Sequence, residues 1–173
     1  MKHMILLLAL FAGHAQTSSA EEKKVSAGGL DFVLPSAAWD SVPTSSPMRA
    51  ATLKISVEGA EQPLEAVFYY FGAGQGGDVE ANVQRWFGQF EGKPETKRED
   101  IEAGGKKVTL VTATGTYMDG AMFGPKTPKP DSMLLGSIIP GPDAPVFIKL
   151  TGPKAAVAKV ADEFRALSVS PFK

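Results

Sequence analysis

Short runs of alternating polarity, each closed by a glycine- or proline-rich turn, recur along most of the chain and restrict it to a fold built on a sheet. The clearest run is Met48 to Glu58, where Ala51, Leu53, Ile55 and Val57 alternate with Thr52, Lys54 and Ser56. Leu30 to Leu34, stopped by Pro35, and the aromatic-rich Leu64 to Phe71 read the same way. Thr96 to Ile101 and Lys106 to Tyr117 form a pair joined across Ala103-Gly104-Gly105. Met133 to Ile139 and Val146 to Thr151 flank Pro140-Gly141-Pro142-Asp143. The Ser41 to Pro47 and Met118 to Asp131 stretches read as loops. Most connections are short, and short connections join antiparallel neighbours.

Two segments switch to a helical period. From Asp78 to about Glu91, the residues Val79, Val83, Trp86, Phe87 and Phe90 fall on one stripe. Asp78 is the natural N-cap, Glu80 suits the positive helix end, and Gly92 and Pro94 stop the helix. A second helix starts at Pro153 and presents Val157, Val160, Phe164 and Leu167. The order strands, helix, strands, helix predicts an α+β fold, a mainly antiparallel sheet flanked by two helices.

The amino terminus reads as an address. Lys2 and His3 precede an unbroken apolar run from Met4 to Ala12. That run is shorter than the ~20 residues needed to span a bilayer and has the form of a secretory signal peptide. Ser18 and Ala20 suit a cut before Glu21, with Ala15 as an alternative site. The expected organisation is a signal peptide over 1–20, a flexible lead-in over 21–28 and one domain over 29–173. The expected location is periplasmic or secreted, with no membrane anchor left after cleavage.

Composition then closes several chemistries. The chain has no cysteine, and its only histidines, His3 and His14, lie in the segment expected to be removed. Thiol catalysis, Ser-His-Asp catalysis and the usual zinc, haem and copper(II) ligand sets are excluded from the exported protein. With 18 basic against 19 acidic residues, no basic face is available to displace counterions from nucleic acid. Carboxylate, Lys, Tyr, Ser/Thr and Met chemistry remains.

Gly72, Gly74 and Gly77 match G-x-G-x-x-G between a strand and a helix. Asp78 puts negative charge where a pyrophosphate would sit, and the positions for a Walker Lys-Ser/Thr pair hold Asp78 and Val79. The segment reads as a turn, and no cofactor or metal is assigned. Ser170 and Lys173 match S-x-x-K only by letters, because the pair stands at the end of the sequence rather than on a helix.

Two candidate ligand- or partner-binding sets stand out. Asn82, Arg85 and Gln89 lie on one flank of the first helix, where a guanidinium and two amides suit a carboxylate, a phosphate or exposed backbone. The competing reading is that they tie the helix to a neighbouring loop. Met118, Met122 and Phe123 suit a contact surface, and two thioethers four apart are also a donor set for copper(I).

The pattern Phe32-x-x-Pro35 followed by Trp39, and Lys149-x-x-Gly152-Pro153 followed by Phe164, resembles the PsbP/Mog-like superfamily. Gly76, Gly77, Asn82, Arg85 and Trp86 are similar to the first helix of a group of exported bacterial proteins. The resemblance implies an α/β/α sandwich, and a protein that binds others or assists larger assemblies rather than catalysing a reaction. It supplies no catalytic residue. The expected function is an exported, non-enzymatic binding or accessory module for an unidentified protein or small ligand. The alternatives are a small hydrolase using a carboxylate or Tyr, and a copper(I) protein using Met118 and Met122.

Overall fold

The computed structural model describes residues 22–120 and 124–173. The expected signal peptide, Met122 and Phe123 lie outside the described residues, so the signal-peptide reading and the Met118–Met122 pair remain expectations. The elements are β1 (Lys24–Ala27), β2 (Leu30–Val33), β3 (Trp39–Val42), β4 (Ala51–Ile55), β5 (Leu64–Tyr69), α1 (Val79–Phe87), β6 (Glu95–Ala103), β7 (Lys106–Asp119), β8 (Thr127–Ile139), β9 (Val146–Pro153), α2 (Lys154–Lys159) and α3 (Ala161–Val169).

Among the described residues, seven strands form one sheet in the order β3-β4-β5-β9-β8-β7-β6. Every neighbouring pair is antiparallel. The sheet consists of two three-stranded meanders, β3-β4-β5 and β6-β7-β8, with β9 inserted between them. The fold is α+β, as the order of elements predicts.

The two faces are covered unequally. On one face the β1–β2 hairpin, α2 and α3 bury Phe32, Leu53, Phe68, Ile148, Leu150, Phe164 and Leu167. Phe32 meets Phe68 edge to face at 5.1 Å, and the Trp39 indole N–H donates to Glu163 at 2.5 Å. On the other face α1 lays Val83, Trp86 and the following Phe90 over Val111, Ala113, Leu134, Ile138 and Phe147. Each of the larger of these side chains contributes about 1.5–3 kcal/mol of burial. The approach is close because Gly136 has no side chain: a Cβ there would lie 2.5 Å from Cζ3 of Trp86. The cluster under α1 reaches across β7 and β8 to Phe147 at one end of β9, with Tyr69 of β5 packed at its margin, and leaves the rest of β9 and β5 on this face outside it.

Three expectations need correction. The 21–28 segment contains β1, which pairs with β2 and buries Val25 and Ala27; two apolar positions two apart are too short a signal to distinguish from a lead-in. The 118–131 stretch is mostly hairpin, since Met118 pairs with Pro128 and Asp119 with Thr127. Pro128 and Pro130 are tolerated because β9 ends opposite Ser132, so one side of β8 has no ladder there for proline to interrupt. The carboxy-terminal helix is two helices, broken at Val160 (φ −109°, ψ 8°), although Val157, Val160, Phe164 and Leu167 are all buried as the pattern requires.

Candidate functional site

The uncovered half of the α1 face forms a groove of ≈ 820 Å³. Its floor is the outward row of β5 and β9: Glu65, Val67, Tyr69, Lys149 and Thr151. The end of β7, through Tyr117 and Asp119, forms one wall. The 58–63 turn and the start of α2 close the far end, where the Lys159 ammonium donates to the Glu58 carbonyl at 2.8 Å. Arg49 reaches in from the side and pairs with Glu65 at 3.7 Å.

Lys149 is the unusual residue. It stands within β9, the middle strand of the sheet, between Val67 on β5 and Gly136 on β8. Its ammonium donates to the Tyr117 hydroxyl at 2.8 Å and to the Gln89 side-chain oxygen. The Tyr117 hydroxyl in turn donates to the same Gln89 oxygen at 3.2 Å. The ammonium is also 5.0 Å from the Tyr117 ring centre. Its short contact is with the hydroxyl, so hydrogen bonding rather than stacking on the ring face dominates.

Local backbone structure fixes this cluster. After α1 the chain runs beside the far end of β7, where the Met118 N–H donates to the Gln89 carbonyl at 2.8 Å and the Glu91 N–H to the Thr116 carbonyl at 2.9 Å. The β7 ladder shifts register between Gly115 and Tyr117, next to this contact. Phe90 packs edge to face on Tyr117 at 5.4 Å.

Burial sets the electrostatics. It pushes the Lys149 pKa down to about 8, against the attraction of Asp119 and with the repulsion of Arg85 and Lys126. It raises Tyr117 to about 12, helped by Asp119 and Tyr69. Burial also raises Tyr69, opposed by Arg49. Among the described residues no carboxylate lies within salt-bridge distance of Lys149; its two bonds are to neutral oxygens.

The residues singled out from the sequence divide. Asn82, only 2% exposed, uses its amide N–H groups on the carbonyls of Gly76 at 2.7 Å and Asp78 at 2.8 Å, and its oxygen accepts from Arg85. It ties the glycine-rich turn to α1. Asp78 caps the helix through the Ala81 N–H at 2.9 Å. Arg85 is exposed on the helix, within electrostatic reach of Lys149. Gln89 joins the groove cluster. Met118 is half-buried at the end of β7. Ser170 accepts from the Val33 N–H at 3.0 Å and donates to the Leu167 carbonyl at 2.8 Å, fastening the carboxy terminus to β2.

Lys149, Tyr117 and Tyr69 were not singled out as site residues from the sequence. One signal was present: Lys149 interrupts the otherwise apolar run Val146-Phe147-Ile148-Lys149-Leu150. Among the described residues no group of three or more His, Cys, Asp or Glu side chains is arranged to hold a metal, and no helix is long and apolar enough to cross a membrane.

No family model matches the sequence, and no curated protein matches it. The fold is similar to the solution structure of cyanobacterial PsbP (CyanoP) from Synechocystis sp. PCC 6803, with a TM-score of 0.55. That likeness covers 92% of this chain and 96% of the other, at 13% sequence identity. At that identity what is shared is the PsbP-like architecture of an antiparallel sheet with helices packed on it.

Proposed function

We propose that the protein is an exported, non-enzymatic binding or accessory module whose binding surface is the groove over β5 and β9. The observation that carries this reading is the half-bare sheet face, where the outward row of two central strands lines a ≈ 820 Å³ groove. That volume lies within the ~300–1,000 Å³ range of small-molecule sites. The export step rests on the amino-terminal sequence, and the accessory role on the PsbP-like fold.

The side chains favour holding over turnover. Glu65 is engaged by Arg49, and burial keeps the Tyr117 phenol protonated, with a pKa of about 12, so its phenolate is not populated near neutral pH. Asp119, on the groove wall, is the carboxylate on which any turnover would depend. The test assays the purified protein against ester, glycoside and peptide substrates and, in parallel, titrates it with a fragment library by amide-resolved NMR. The expected result is no turnover, with saturable shifts at Val67, Tyr69, Lys149 and Thr151. Turnover lost in Asp119→Asn or Tyr117→Phe, or a groove that no fragment perturbs, overturns the reading.

A further inference from the structure

An ammonium placed in the middle strand of a sheet is an expensive choice, because the outward position there ordinarily takes a β-branched or aromatic residue. Lys149 meets two neutral oxygens and no counter-charge within salt-bridge distance among the described residues. An ammonium has three N–H donors, and the third has no protein partner among the described residues. The hydroxyl of Tyr117 is a second polar group at the same end of the groove. The rest of the floor is mixed: Val67 and the Tyr69 ring lie alongside, Glu65 and Thr151 come next, and Leu64, Pro153 and Ala156 line the far end.

We propose that Lys149, held in place by Tyr117 and Gln89, receives the carboxylate of a small organic acid whose apolar tail lies along the groove over Val67 towards α2. This rests on the groove being the binding surface and names its ligand class. A carboxylate supplies the counter-charge that Lys149 lacks, and charge-assisted bonds of this kind are about twice as strong as neutral ones. The surroundings disfavour a highly charged ligand, because Asp119, Glu58 and Glu61 also line the groove. Arg85 on α1 and Lys126 beyond the hairpin tip add positive potential at Lys149, Asp119 on β7 subtracts from it, and Arg49 is matched by Glu65. A single ammonium suits a monoanion, whereas a phosphate dianion is ordinarily met by planar guanidinium forks.

The test is an NMR titration of the full protein with hexanoate, hexan-1-ol and inorganic phosphate, each followed at the amides of Val67, Tyr117, Lys149 and Thr151. Hexanoate is expected to bind at least about tenfold tighter than hexan-1-ol, and tighter than phosphate. The pKa of the Lys149 amine, followed directly in the unaltered protein, is expected to rise by about one unit at hexanoate saturation, since a tenfold preference for the charged form is one unit. Lys149→Met should lose the preference for hexanoate over hexan-1-ol. Equal binding of hexanoate and hexan-1-ol, equal or tighter binding of phosphate, an unmoved Lys149 pKa, or a preference that survives in Lys149→Met each overturns the inference while the groove reading stands. A groove perturbed by no compound overturns both.

Discussion

Gly136 shows how one missing side chain can position an element. The Trp86 ring occupies the space above it, and an added Cβ would also meet Val111 at 2.8 Å. Both neighbours are buried, so neither can swing away. Gly136→Ala should therefore lower stability by about 1–3 kcal/mol, the usual cost of overpacking, measurable as a shift in urea midpoint. The same gap frees the row beside Lys149 of a side chain on the β8 side. Residue-level reasoning from the sequence reached Trp86, because its helical spacing announces a buried stripe. It did not reach Lys149, because a lysine in a strand looks like one more solvent-facing position. What makes it different is the ammonium's contact with residues 60 and 32 positions earlier in the chain.

At the scale of the element, α1 is anchored more by its first turn than by its length. Val79–Phe87 is nine residues, too short to persist alone, since isolated helices below ~12–15 residues are marginal in water. Asp78 caps it, and Asn82 holds both the preceding turn and the first-turn carbonyl. Asp78→Ala should cost about 1 kcal/mol. Asn82→Ala should cost more, about 1–3 kcal/mol, because both side-chain hydrogen bonds that tie the turn to the helix are lost. Urea denaturation of the two variants side by side gives the order. The helix, its cap and its stripe were legible in the sequence, but the helix ends at Phe87, capped by Gly88, rather than near Glu91, and Val79 is 36% exposed on the first turn. The hairpin of β7 and β8 was not, because prolines normally argue against a strand, and only the absence of a neighbour beyond Ser132 makes them acceptable.

For the whole molecule, the buried groups of the groove shape stability against pH. Lys149 has a folded-state pKa near 8, below its unfolded value, so between those two values the unfolded chain binds more protons. Stability then rises with pH across that window, by on the order of 2 kcal/mol. Tyr117, raised to about 12, and Tyr69, also raised, act in the opposite sense. Their contribution is intact below the unfolded value near 10 and is lost as pH climbs through the folded one. The expected profile climbs from pH 8, peaks near pH 10 and then falls. Lys149→Met should remove the climb and leave the fall, which urea midpoints between pH 7 and 11 will show.

The position of β9 carries a consequence for how the chain acquires this shape. Both meanders can pair from local sequence, yet they share no ladder with each other; each is hydrogen-bonded to β9 instead. The strand that joins them is the last in the chain, and its partner Leu64–Tyr69 lies some eighty residues upstream. Closing so long a loop makes the joining step slow relative to hairpin formation. A chain still emerging from the ribosome, or truncated before Val146, lacks the strand to which the facing edges of β5 and β8 pair. Near-ultraviolet circular dichroism of such a truncated chain should show no fixed aromatic environment. Until β9 is made the polypeptide has no completed sheet.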